Sequence, residues 1–327
     1  MTTERDCEDC RDSRRSFLTA SAASIAALGS ALPSVWAGVE SKVAAESVAG
    51  DLFQSLSNDQ KKALCFPVDH ALRKKVSANW NITEPSIESM QPKQQELVER
   101  ILKSMSSAEG YEKFKAQMEE DAGGLGHYHV AFFGKPGEKG FEFVMTGRHM
   151  TMRADGNFGA GPAFGGPMVY GHQAETDPEK PDHPGNVFWY QAKRANEVFK
   201  ALDPNQRKEA LCKKAPGESS IQHRKDGYHG LLVGSMSDDQ KNLVKQVMAD
   251  VLSPYRKEDA DEALAVITAN GGLEKTKLAF YQTDEAGKNA DLGNDGIWDI
   301  WRLEGPGFVW HFRGAPHVHV WVNIARV

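Results

Sequence analysis

Gly307-Phe308-Val309-Trp310-His311-Phe312-Arg313-Gly314-Ala315-Pro316-His317-Val318-His319-Val320-Trp321-Val322-Asn323 sets β-branched and aromatic residues on both sides of a short break near the end of the chain. Such residues favour a pleated, half-buried backbone, and Arg313-Gly314-Ala315-Pro316 interrupts them, so the stretch predicts two antiparallel strands joined by a short loop. Successive strand residues point to opposite faces. His317, His319 and Trp321 therefore share one face, and Val318, Val320 and Val322 share the other. One face can pack and the other can bind. A comparable pattern occurs earlier, where Gly140-Phe141-Glu142-Phe143-Val144-Met145 passes through Thr146-Gly147-Arg148 into His149-Met150-Thr151-Met152-Arg153. This comparison sets His149 at the place of His317.

Working outward from the two hairpins, more of the chain recurs. Phe53 to Cys65 matches Phe199 to Cys212 with one inserted residue, and Met90 to Val98 matches Met236 to Val244. Gly123-Gly124-Leu125 followed by Val130-Ala131-Phe132 returns as Gly271-Gly272-Leu273 followed by Leu278-Ala279-Phe280. Apolar residues at three- and four-residue spacings predict two short helices within 51–64, with Ser57-Asn58-Asp59 a cap between them, and helices at 94–105 and 109–121, and His127 to Phe133 reads as a strand. The expected fold is α+β with an internal duplication. Each half has a helical segment followed by an antiparallel β-meander, and a pseudo-two-fold axis relates the halves. The boundaries read as a first repeat over 51–155, a Gly/Pro-rich connecting loop over 156–190 and a second repeat over 191–327.

The start of the chain reads as an address. Ser13-Arg14-Arg15-Ser16-Phe17-Leu18 is a twin-arginine export pattern, followed by a weakly apolar run and by Val35-Trp36-Ala37, small at the cleavage positions. Residues 1–37 are thus expected to be a signal peptide, with 38–50 a tether. The implied location is periplasmic or secreted, with the twin-arginine translocase as partner during export and no stable membrane span after cleavage. The net charge of −6 has its basic residues scattered among acids, which argues against nucleic acid as a partner. Four cysteines in 327 residues exclude a disulfide scaffold, and Cys65 and Cys212, at equivalent ends of the repeated helix, read either as a pair formed after export or as small buried hydrophobes, the reading favoured here.

These landmarks together resemble the bacterial family called domain of unknown function 3500. The residues that carry the resemblance are Tyr128, Val130, Phe133-Gly134-Lys135-Pro136 and Gly147-Arg148-His149, then Leu202 to Leu211, then Gly305-Pro306-Gly307-Phe308 with His317-Val318-His319-Val320-Trp321. It spans nearly all of the chain after the signal. The chain departs from the family's pattern at Arg148, where a second histidine is usual, and at His311, where an acid is usual. The resemblance implies that the two histidine hairpins are a real pattern and implies no chemistry.

Histidines two apart on one strand lie about 7 Å apart along it on one face, a spacing at which two imidazoles can ligate one ion. His317-x-His319 and His127-x-His129 have it, and His149 joins them through the hairpin comparison. The expected ligands are therefore His127, His129, His149, His317 and His319. Imidazole donors suit a divalent transition metal, here zinc or copper, and Glu142, Asp155, Asp299 or Glu304 could complete the shell. Motifs for a nucleophile elbow, a phosphate loop, a dinucleotide site and a His-Glu-x-x-His helix are all lacking. The leading expectation is an exported metal-binding protein, with a metal-dependent enzyme as its sharper form. The alternative is a non-catalytic extracytoplasmic protein that binds a small molecule or serves as a scaffold.

Overall fold

Two short helices begin where the sequence supplies reciprocal caps. The Ser57 hydroxyl accepts from the backbone of Gln60 while Ser57 N donates back to the Gln60 side chain at 2.9 Å, fixing α2 (Asn58–Leu64). Asp203 and Gln206 do the same at 3.0 Å for α6 (Pro204–Ala210). Each box satisfies amide groups that a helix start leaves orphaned. The two glutamines then reach the same kind of partner. Gln60 and Gln94 exchange amide hydrogen bonds at 2.8 and 3.1 Å, and Gln94 Nε2 also donates to the Ser55 carbonyl at 3.0 Å. Gln206 and Gln240 exchange theirs at 3.2 and 2.8 Å, and Gln240 Nε2 donates to the Ala201 carbonyl at 2.8 Å.

The structure is a computed structural model that describes residues 45–155, 167–173, 185–291, 296–314 and 316–327. The expected signal segment, the tether as far as residue 44, His183 and most of the Gly/Pro-rich stretch lie outside the described residues. In chain order the first elements are α1 (Ala45–Ser55), α2, β1 (Cys65–Phe66), α3 (Pro92–Met105), α4 (Ala108–Ala122), β2 (His129–Phe133), β3 (Glu142–Gly147), β4 (Met150–Asp155) and β5 (Met168–His172). Then come α5 (Tyr190–Ala201), α6, β6 (Leu211–Lys214), β7 (Leu231–Leu232), α7 (Asp238–Leu252), α8 (Lys257–Ala269), β8 (Lys277–Thr283), β9 (Ile300–Gly305), β10 (Phe308–Arg313) and β11 (Val318–Ile324).

All the strands form one sheet, in the order β1-β2-β3-β4-β5-β11-β10-β9-β8-β6, with β7 paired to β8. The β1–β2 and β6–β8 pairs are parallel and the other neighbours antiparallel. One face packs on the helices. Val318, Val320 and Val322 point into that core with Val98, Ile101, Val244 and Val251 from α3 and α7, each at most 1% exposed. Burying such a side chain contributes about 1.5–3 kcal/mol. The opposite face carries Val169, Val309 and Trp321 against Ala78 and Ile221, so irregular chain covers it. The expected division of β11 into an apolar face and a histidine face holds.

The fold is α+β, as the sequence suggests, but several boundaries move. The stretch 156–190 contains β5, a central strand. Its five residues were hidden because Gly165-Gly166-Pro167 before it and Gly171 within it read as loop. The expected tether gives way to helix from Ala45, with Ala45, Val48 and Ala49 buried. The strand expected from His127 starts at His129, because Leu125–His127 forms a 3₁₀ turn. The two hairpins also differ in place: β3–β4 joins the third and fourth strands from one edge, whereas β10–β11 joins the fourth and fifth from the other. His149 and His317 are therefore not at one repeated position.

Candidate metal centre

β4, β5 and β11 lie side by side, and their adjoining ends gather the histidines. His149 precedes β4 in the two-residue turn Arg148-His149 between the paired Gly147 and Met150. Its φ of 55° makes it the one non-glycine residue with positive φ among the described residues. For an L-residue this left-handed conformation costs about 1–2 kcal/mol. Hydrogen bonds hold it from both sides: His149 N donates to the Ala78 carbonyl at 2.5 Å, and Gln117 Nε2 donates to the His149 carbonyl at 3.2 Å. Strain of this kind persists where the surroundings over-determine it, and it clusters at functional sites. His319 lies opposite Gly171 in the β5–β11 ladder. A Cβ on Gly171 would come 2.2 Å from the Val318 carbonyl oxygen and 3.1 Å from the His319 ring, so this close approach requires glycine.

The three rings converge. His317 Nε2 is 3.2 Å from His149 Nε2 and 3.1 Å from His319 Nε2, and candidate ligand atoms of all three lie within 4.8 Å of one another. Ligand nitrogens 2.0–2.1 Å from a tetrahedral ion are about 3.3 Å apart, which is close to this spacing. His149 and His319 are buried and His317 half-buried.

Carboxylates orient two of the rings. His149 Nδ1 donates to Asp121 Oδ2 at 2.7 Å, and His319 Nδ1 donates to Glu218 Oε2 at 3.0 Å. With Nδ1 as the donor in each, Nε2 presents a lone pair toward the centre, an arrangement found where imidazole ligates a metal. His317 Nε2 could donate a proton to only one of these lone pairs, whereas a cation satisfies all three nitrogens. Burial alone would raise the Asp121 carboxyl, but hydrogen bonds and charge from His149 and His172 outweigh it and hold it below its ordinary value. Burial, aided by Arg313, holds His319 well below the ordinary histidine range and therefore neutral. The surrounding charges are paired: Arg148 Nε lies 4.0 Å from Asp121, Arg313 Nε 3.3 Å from Glu218, and His172 Nε2 3.1 Å from Glu120. Glu218 also lines a cleft with Arg313, His311, Asp284 and Glu285.

Of the five expected ligands, His149, His317 and His319 meet, and His127 and His129 lie elsewhere. His129 Nδ1 sits 3.0 Å from the Pro85 carbonyl, and His127 is half exposed with Glu88 3.9 Å away. Because the strand begins only at His129, the pair does not share the strand face that its spacing implied. The acids expected to complete the shell are engaged otherwise. Glu142 pairs with Arg73 and Arg153, Glu304 with Arg224, and Asp299 accepts from Trp189 Nε1 at 3.0 Å. The Asp155 side chain lies outside the described residues. Sequence reasoning missed Asp121 and Glu218. Asp121 had one signal: Glu119-Glu120-Asp121 ends α4, where the helix dipole disfavours acids and some other partner is needed. Glu218, in irregular chain, had none.

The model of the DUF3500 family, described as protein of unknown function, matches residues 40–313. The chain belongs to the DUF3500 family. The matched span of this DUF3500 protein takes in His149, Asp121 and Glu218 and ends before His317 and His319. No curated protein and no solved structure matches it.

Proposed function

We propose that this DUF3500 protein is an exported metal-binding protein in which His149, His317 and His319 hold a divalent transition ion, zinc or copper. The observation that carries this reading is the meeting of three imidazole nitrogens, two with tautomers set by Asp121 and Glu218. Three imidazoles leave a coordination position free, the pattern of catalytic rather than closed structural sites, so the centre is suited to Lewis-acid or redox chemistry. Metal content decides it. Protein purified without chelators and dialysed against zinc or copper should retain about one ion per chain, and the His319→Ala variant none. An unchanged, metal-free parent protein would remove the reading.

The same reading includes an internal duplication. The two glutamine clasps support it, since each joins residues 34 apart and each also holds the end of the preceding helix, α1 or α5. The matched order of helices and the mirrored sheet order add to it. Superposing α1 to β5 on α5 to β11 should pair β3–β4 with β9–β10. Export through the twin-arginine route rests on the sequence pattern around Arg14 and Arg15, the weakly apolar run after it and Val35-Trp36-Ala37. Among the described residues no helix is long and apolar enough to cross a membrane.

A further inference from the structure

The charges around the three histidines point to the class of ligand that would complete the centre. Asp121 and Glu218 bring two negative charges to the ligand rings, and Arg148 and Arg313 bring two positive charges to those same carboxylates, at 4.0 and 3.3 Å. Arginine stays protonated in proteins, so the four groups sum to zero. Among the described residues the next acids outward are Glu120, 3.1 Å from His172 Nε2, and Glu285 at the backbone N–H of Glu218; both are exposed, as Arg148 is, so water screens each of these charges in part. A divalent ion on three neutral imidazoles would therefore leave the centre net positive, in a site whose His149 and His319 are only 4% and 7% exposed. Where water is largely excluded, an uncompensated charge is costly and a counter-ion is held strongly.

Resting on the metal reading above, we infer that the open position of this centre takes a small organic anion of the carboxylate class. Arg148 is the second contact. It directly precedes His149 in the chain, and its side chain is 42% exposed. One terminal nitrogen donates to Gln173 Oε1 at 2.8 Å, which fixes the guanidinium and leaves further N–H groups of its fork for a ligand. A carboxylate has two oxygens for these two partners: one can bind the ion and the other can accept a charge-assisted hydrogen bond from the guanidinium. Its single charge also reduces the positive excess at the ion.

Cobalt(II) reports both events, because its visible absorption depends on the number and kind of its ligands. The full-length protein, loaded with one equivalent of cobalt in an uncoordinating buffer, should show an absorption that is absent from His319→Ala. Acetate should then change that spectrum saturably in the millimolar range. In Arg148→Gln the starting spectrum should persist while the acetate affinity falls at least fivefold. Failure of cobalt to bind would defeat the metal reading and this inference together. A cobalt spectrum that acetate leaves unaltered would overturn the inference alone, as would phosphate binding ten times more tightly than acetate. Equal acetate affinity in Arg148→Gln would remove Arg148 from the site.

Discussion

Replacing Asp121 by asparagine tests whether the carboxylate behind His149 serves the metal. The substitution keeps the shape and removes the charge from a fully buried side chain whose oxygen lies 2.7 Å from His149 Nδ1. Loss of such a partner typically weakens metal binding 10–100-fold. Taking about 30-fold, with free metal at about 100 times the parent's dissociation constant, the stabilisation from binding falls from about 2.7 to about 0.9 kcal/mol. For a chain of this length about 1 kcal/mol moves the melting temperature by roughly 2 °C, so the metal-dependent rise should shrink by about 4 °C. The readout is the difference between metal-loaded and chelator-treated samples of each protein. This cancels any effect of Asp121→Asn on the metal-free fold, where His172 and the Gln173 backbone also contact the carboxylate. Equal rises in parent and variant, with equal affinities in a chelator competition, would refute the assignment of Asp121.

Changing both His317 and His319 to alanine should abolish metal retention while circular dichroism stays native, because Val318, Val320 and Val322 still pack on the helix core; unfolding of the chelated variant would mark the histidines as structural. Gly171→Ala places a methyl against the Val318 carbonyl and should lower stability by about 1–3 kcal/mol in denaturant titration. Burial raises the Asp259 carboxyl from 3.8 to about 6, opposed by Arg256. A raised carboxyl binds its proton more tightly in the folded state, so stability is lost as pH rises from 3.8 to about 6, a window worth about 3 kcal/mol. Asp259→Asn should remove that part of the pH slope, and an unchanged slope would place it on other groups. Lysine at both Arg14 and Arg15 should leave precursor in the cytoplasm, as read by fractionation; normal secretion would exclude the twin-arginine route.

The meeting of His149 with His317 and His319 was legible from the likeness of the two hairpins, although the sheet order sets those hairpins one strand out of register. His149 comes near because β5 inserts between β4 and β11, and β5 was unreadable in a sequence broken by glycine and proline. Period and caps located α2, α3 and α4, since caps are local chemistry, and the match of Met236–Val244 to Met90–Val98 located α7. Asp121 and Glu218 reach their histidines across 28 and 101 residues of chain, and no local pattern encodes such a contact. His127 and His129 failed because one turn of 3₁₀ helix changed the direction of the first side chain.

The strand order carries a consequence for how the chain must be made. The outermost strands are short, two residues in β1 and four in β6, so the finished sheet offers little to a stranger that might add to its rim. The strands that would be outermost if synthesis stopped near residue 185 are different in kind. β5 would then lack β11, and its five residues, all buried in the complete protein, would present an open apolar ladder. A nascent or truncated chain therefore carries an adhesive seam until the last strand, β11, closes over it. Since His317 and His319 arrive with that same strand, the three histidines come together only when the seam is sealed, and an ion bound there would mark a chain that has finished folding.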